Sequence, residues 1–227
     1  MRPILTIGFC LTCCAAIAQN ADPPNYFDPA RFEADIRAFE KADSTSAYPD
    51  SSIIFYGSSS IRMWHDSLAS DMAPLPVLGR GFGGSTMIDA VKYADRVLIP
   101  NKPRAIVLYE GDNDIGAFDV APGRVTELFE AFAAKIHAAM PETQIYFLTI
   151  KPSPSRWDHW PQMNEANQMI HAVCDADPLL HYVDVASVML GEDGMPKKDI
   201  FREDMLHMNR KGYALWTEVI RKALGAE

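Results

Sequence analysis

Once its first eighteen residues are set aside, this sequence contains a single cysteine, Cys174. Cys10, Cys13 and Cys14 all fall in that opening stretch, so the rest of the chain has no internal disulfide to staple it. Removing 18 of 227 residues leaves 209, a length that can bury a sizeable core without cross-links. Cys174 lies in the helix-like run MIHAVCDAD and reads as a small buried apolar residue, not a reactive thiol. Basic runs are missing too: 21 Lys and Arg face 30 Asp and Glu, for a formal net charge of −9. A chain of that sign without a basic patch is a poor partner for nucleic acid or for an anionic lipid surface. No HExxH or paired Cys/His spacing offers a metal site, and DND at 112–114 lacks the later Gly and Glu of a calcium loop.

The opening stretch, MRPILTIGFCLTCCAAIA, has one basic residue, an apolar run too short for a spanning helix, and Ala16-Ile17-Ala18 before Gln19. It reads as a secretory signal peptide cleaved after Ala18, which implies a periplasmic or secreted chain without stable membrane insertion. Its loss removes only Arg2 from the charge count and takes the net charge from −9 to −10.

Residues 19–50 are rich in Pro, Asp, Ala and Ser and read as an N-terminal tether followed by one helix near 29–42. From 51 to 227, strand-like runs at 53–57, 76–82, 105–111, 144–150 and 179–185 alternate with helical patterns at about 86–98, 122–140, 160–176 and 209–225. Short apolar strands separated by helices predict one α/β domain, a parallel sheet covered on both faces. In such a sheet the ligand crevice lies beyond the carboxyl ends of the strands. GSSS, GFGGS, GDND and KPSPSRW follow the first four strands, so these loops should open on one rim.

Three consecutive serines, Ser58 to Ser60, could simply cap a helix. As a nucleophile, a serine there needs a base, a carboxylate to orient it, and amide donors for an oxyanion. Of six histidines, His137 and His171 fall in helical patterns, His181 begins a strand, His65 trails the serine loop and His159 sits in a tryptophan-rich loop. His207 has Asp204 three residues before it in a turn, a spacing at which the carboxylate can hold one imidazole nitrogen and leave the other free. The glycines of GFGGST allow close backbone approach, and Asn113 of GDND carries a side-chain donor.

The order of GSSS (57–60), GFGGST (81–86), GDND (111–114) and DMLH (204–207) resembles that of the SGNH hydrolase superfamily, the GDSL esterases and lipases. The resemblance spans about residues 50–225. It implies a flavodoxin-like three-layer α/β/α sandwich with Ser59 as nucleophile, His207 as base and Asp204 as its orienting acid. It also implies an oxyanion hole from the Ser59 and Gly84 amides and Asn113 Nδ2, with no cofactor or metal. Ser58 stands where that family usually has Asp, and the serine run leaves Ser58 and Ser60 conceivable as nucleophiles; Ser59 aligns best. Ser58, Arg62, Trp157 and Trp160 are candidate substrate contacts; Arg80 and Arg156 are further rim cations that could hold an anion.

The implied activity is hydrolysis of a small carboxylic ester, with an acetylated sugar suggested by the tryptophans. Lysophospholipase or thioesterase chemistry and a non-catalytic exported carbohydrate-binding module are the alternatives. Gly79 to Gly84 also fits G-x-G-x-x-G, but no acid follows about twenty residues on, as a dinucleotide site requires. The α/β-hydrolase elbow G-x-S-x-G is absent because position 61 is Ile.

Overall fold

Five apolar runs become five strands in the computed structural model, which describes residues 22–46, 48–49 and 51–226. The signal-peptide reading of residues 1–18 lies outside the described residues. Strands β1 (Ile53–Gly57), β2 (Val77–Gly81), β3 (Ala105–Tyr109), β4 (Gln144–Leu148) and β5 (Leu180–Val183) form one sheet in the order β2-β1-β3-β4-β5. Every pairing is parallel. β1 and β3 are buried along their whole length, as central strands covered on both faces must be.

Helices in chain order are α1 (Glu33–Thr45), α2 (Ser59–Arg62), α3 (His65–Met72), α4 (Met87–Val97), α5 (Asp112–Phe118), α6 (Pro122–Ala139), α7 (Trp160–Asp175) and α8 (Arg210–Ala223). The two-residue alternation of the strands sorts them into layers. Ile54, Tyr56, Ile106 and Leu108 face a core shared with α1, α4, α6 and α7. Ile53, Phe55, Ala105 and Val107 face the opposite core, filled by Trp64, Leu68, Trp216 and Ile220 from α2–α3 and α8. Burying one such aromatic or aliphatic side chain contributes roughly 1.5–3 kcal/mol, so these two layers dominate the favourable side of folding. The expected three-layer sandwich is therefore observed. Among the described residues no helix is long and apolar enough to cross a membrane.

Two differences from the sequence reading bear on the site. The first helix runs over 33–45, not 29–42, because the Asp28 side chain takes the Ala30 N–H and its carbonyl takes the Arg31 N–H, closing a turn ahead of the helix. Nor does the stretch before it trail away: Tyr26 and Phe32 are buried, the Tyr26 hydroxyl donates to Asp114, and Phe32 packs edge-on against Phe82 of the glycine loop at 5.2 Å. The short helices α3 and α5 had no clear sequence signal, since seven or eight residues hold too few apolar positions to show a period.

Candidate active site

The crossover from β1 to β2 leaves the sheet in one direction and that from β2 to β3 returns in the other, so the loops after β1 and β3 splay apart. GSSS and GDND are those two loops. β1 ends at Gly57 with φ +138, where a Cβ would lie 2.0 Å from the Tyr109 carbonyl oxygen; only glycine lets the chain turn this close to β3. The Ser58 N–H then donates to the same Tyr109 carbonyl at 3.2 Å, and α2 begins.

The three serines part company at this turn. Ser58 is buried and its carbonyl accepts the Ile61 and Arg62 amides. Ser60 is buried on the other side, its carbonyl accepting the Tyr213 hydroxyl at 2.9 Å. Ser59 alone reaches His207, with Oγ 3.0 Å from Nε2.

His207 and Asp204 lie on a tight loop ahead of α8. Phe201 bridges Met208, the Arg202 N–H donates to the His207 carbonyl at 2.8 Å, and Asn209 caps α8 through Oδ1 while its Nδ2 donates to the Asp199 and Phe201 carbonyls. Asp204 Oδ2 is 2.7 Å from His207 Nδ1, and its Oδ1 accepts the His207 and Leu206 amides. Burial raises the Asp204 carboxyl, but the side-chain and backbone donors of His207 and the Leu206 amide outweigh it and bring it down to about 2. An ionised carboxylate only accepts, which makes Nδ1 the protonated nitrogen and leaves Nε2 to accept from the Ser59 hydroxyl. Met205, between them in the chain, has φ +54, a left-handed conformation held because its carbonyl accepts the Ser155 amide at 3.1 Å.

Amide donors come from the segments that follow β1, β2 and β3. Gly84 has φ +88, open to glycine at little strain, and among the described residues neither its N–H nor that of Ser59 is taken by another group. Asn113 Nδ2 donates to the Ser85 carbonyl at 2.9 Å, joining the GDND loop to the glycine loop and leaving its second hydrogen free.

The orientation of that amide is set from behind. Arg156 Nη2 donates to Asn113 Oδ1 at 3.1 Å, while Nη1 donates to the Asp112 carbonyl and to Oδ1 at 2.9 and 2.6 Å. Asp112 also takes the buried Lys151 ammonium at 2.5 Å and the Tyr109 hydroxyl at 3.1 Å. Because Arg156 donates only to an oxygen, its grip on Asn113 forces Nδ2 outward. This group of Asp112, Lys151 and Arg156 was missed in the sequence; GDND and KPSPSRW were visible as rim loops, but nothing in either says that they pair.

Arg156 is therefore committed to Asp112 and Asn113, and the expectation that it holds an anion does not survive. Arg80 fails likewise: it is buried in β2 and closed by Asp43 and the Tyr48 hydroxyl. Arg62 is exposed and unpaired among the described residues. Trp157 and Trp160 stack on each other, centroids 6.0 Å apart and planes 12° from parallel, and Trp160 also packs against the core. The other histidines lie elsewhere: His137 bonds the Thr143 carbonyl, His181 bonds Gln144, His171 and His159 face Asp175 and Asp119, and His65 lies beside Gly79.

A parallel sandwich that carries a serine, a histidine–carboxylate pair and free amides at its strand ends has the architecture of the SGNH-type acyl hydrolases. The chain belongs to the GDSL-like Lipase/Acylhydrolase family, a family of ester hydrolases, which matches residues 43–215. No curated protein matches it. Among solved structures it is similar to a GDSL-like lipase from Bacteroides thetaiotaomicron, with TM-score 0.74 and 18% identity over 85% of this chain and 98% of that one. A lipase/acylhydrolase from Enterococcus faecalis gives TM-score 0.61 and 21% identity over 77% and 95%. An acetylxylan esterase from Geobacillus stearothermophilus gives 0.64 and 13% over 79% and 96%. At these identities the likeness is one of fold.

Proposed function

We propose that this protein is an exported serine esterase that hydrolyses carboxylic esters of small acyl groups, with acetylated carbohydrate as the favoured substrate class. The observation that carries the reading is the unbroken chain from Ser59 Oγ to His207 Nε2 to Asp204 Oδ2. Ser59 attacks the ester carbonyl while His207 takes its proton; Asp204 stabilises the imidazolium that forms. The tetrahedral oxyanion rests on the Ser59 and Gly84 amides and on Asn113 Nδ2. His207 next protonates the departing alcohol, and a water molecule, deprotonated by the same nitrogen, releases the acid from the acyl-enzyme.

Export rests on the opening eighteen residues. The sugar reading is supported by the acetylxylan esterase among its structural neighbours and by the paired tryptophans at the entry to α7, whose preceding segment is joined to the Asp204–His207 turn through Ser155. The partner is a small-molecule ester; the acidic chain gives nucleic acid no hold.

Hydrolysis of p-nitrophenyl acetate, butyrate and octanoate by wild type, Ser59→Ala, Ser60→Ala and His207→Ala tests the assignment. The short esters should be preferred, the Ser59 and His207 variants should lose at least about a thousandfold in kcat, and Ser60→Ala should stay active. Full activity in Ser59→Ala would remove the proposed nucleophile.

A further inference from the structure

Arginines in this chain are almost all spoken for. Arg37, Arg80, Arg96, Arg124, Arg156 and Arg210 each meet a carboxylate. Arg104, Arg202 and Arg221 donate to backbone carbonyls. Among the described residues only Arg31 and Arg62 have neither kind of partner, and they stand over adjacent residues of the glycine loop, Arg62 over Gly83 and Arg31 over Gly84. A Cβ built on Gly84 would lie 3.0 Å from Arg31 Nη2, and one built on Gly83 would lie 2.5 Å from Arg62 Nε. The two guanidinium groups occupy the space that side chains at 83 and 84 would fill.

Arg62 ends the helical turn that Ser59 begins, so its backbone is fixed relative to the serine. Arg31 comes from the packed stretch before α1, outside the 43–215 segment that matches the family. Its guanidinium lies over the Phe32 ring at 4.9 Å and near the Phe118 ring at 6.0 Å. Stacking on aromatic faces engages the plane of the cation and leaves its N–H edge available. Asp35 and Asp66 line the same cleft of about 310 Å³ as Arg62, and among the described residues neither makes an ion pair with it.

We infer that Arg31 and Arg62 form an anion subsite beside the Gly84 amide, and that the natural ester carries an anionic substituent, a carboxylate or a phosphate. This rests on the esterase reading, because the subsite is defined by an ester seated on Ser59 with its oxygen toward Gly84. The net negative charge of the chain does not oppose it: at ordinary ionic strength exposed charges beyond about 8 Å are screened, and of the nearer carboxylates Asp89, which feels the Arg31 charge, and Asp35 and Asp66, which share the Arg62 cleft, none forms an ion pair with either guanidinium among the described residues. Charge-assisted bonds from arginine to an oxyanion give about tenfold to a hundredfold in binding.

Three matched aryl acetates test it: phenyl acetate, 3-acetoxybenzoate and 3-acetoxyphenyl phosphate, each assayed at about 50 mM and about 500 mM salt. Wild type should prefer at least one charged ester over the neutral one by about tenfold or more in kcat/KM, mainly through KM, and the preference should shrink at high salt. Whichever charged ester leads identifies the anion. In the double variant Arg31→Gln/Arg62→Gln the ratio of charged to neutral kcat/KM should fall to about one. No preference in wild type at low salt, or an undiminished ratio in the double variant, overturns the inference, and the wild-type salt series decides even if a variant folds poorly. Ser59→Ala is run beside them. Loss of phenyl acetate hydrolysis there, with no charge preference in wild type, sinks the subsite alone; retained hydrolysis sinks the esterase reading itself.

Discussion

Asp112 and Asp114 sit two residues apart on one helical turn, both buried, and their surroundings drive them in opposite directions. Burial pushes Asp112 up, but the charges of Lys151 and then Arg156, with their hydrogen bonds, outweigh it and take the carboxyl down to about 2. Burial takes Asp114 up to about 6, because its donors, the Tyr26 hydroxyl and the Met87 amide foremost, are neutral and the Asp89 carboxylate lies nearby. Glu110 joins that second group: burial and the Asp114 charge raise it well above its ordinary value, and it keeps a 2.5 Å bond from the Ser85 hydroxyl. A buried carboxylate stays ionised to low pH where a cation reaches it and keeps its proton to higher pH where only neutral donors do. The loop uses both kinds. Asp112 fixes Arg156 and through it the Asn113 amide; Asp114 ties the stretch around Tyr26 and the glycine loop to the same rim.

Removing the charge from each acid separates the two most sharply. Asp112→Asn leaves Lys151, 1% exposed at its side chain, without a counterion and should lower unfolding free energy by about 3–5 kcal/mol in urea titration. Asp114→Asn exchanges an acid that readily keeps its proton for a neutral amide, and a loss of about 1–2 kcal/mol is expected. Equal losses would erase the distinction.

Next in size is the effect of Arg156 on the reaction. Arg156→Lys keeps a charge for Asp112 but loses the fork that also holds Asn113 Oδ1. If Asn113 is the oxyanion donor proposed above, the expected result is a fall of about tenfold in kcat with KM little changed, since such a donor matters mainly in the transition state.

Most gradual is the dependence of stability on pH. Asp114 has a folded value of about 6 against an ordinary 3.8, so between those limits the folded protein keeps a proton that the unfolded chain gives up. Its contribution is therefore complete below the lower value and lost as pH rises through about 6, by at most about 1.4 kcal/mol per pH unit. Asp112 and Asp204 act with opposite sign, losing their contributions as pH falls below their ordinary value toward about 2. Unfolding midpoints measured from pH 3 to 8 should peak in the mildly acidic range, and Asp114→Asn should flatten the decline above the peak.

The same contrast marks what could be read from the chain beforehand. Strands such as IIFYG and AIVLY declare themselves because a central parallel strand is apolar throughout, and the loops after them inherit a common rim from topology alone. Asp204 and His207 are three apart, so their partnership is a local fact visible in the letters. The grip of Arg156 on Asn113, forty-three residues away, is not, since an Arg in a loop looks the same whether it faces solvent, substrate or a carboxylate. Arg80 shows the converse: it looked like a free rim cation, yet Asp43 lies thirty-seven residues earlier on a helix whose docking no local pattern announces. The serine run stayed ambiguous for a third reason. One helical turn rotates three adjacent hydroxyls to three different surroundings, and only the fold says which one meets His207.

Labelling with a fluorophosphonate, followed by peptide mass mapping, addresses the nucleophile itself. Stoichiometric modification of Ser59, abolished in His207→Ala, is the expected outcome. A stable adduct on Ser58 or Ser60, or an inert protein that still hydrolyses esters, would contradict the Ser59–His207–Asp204 assignment.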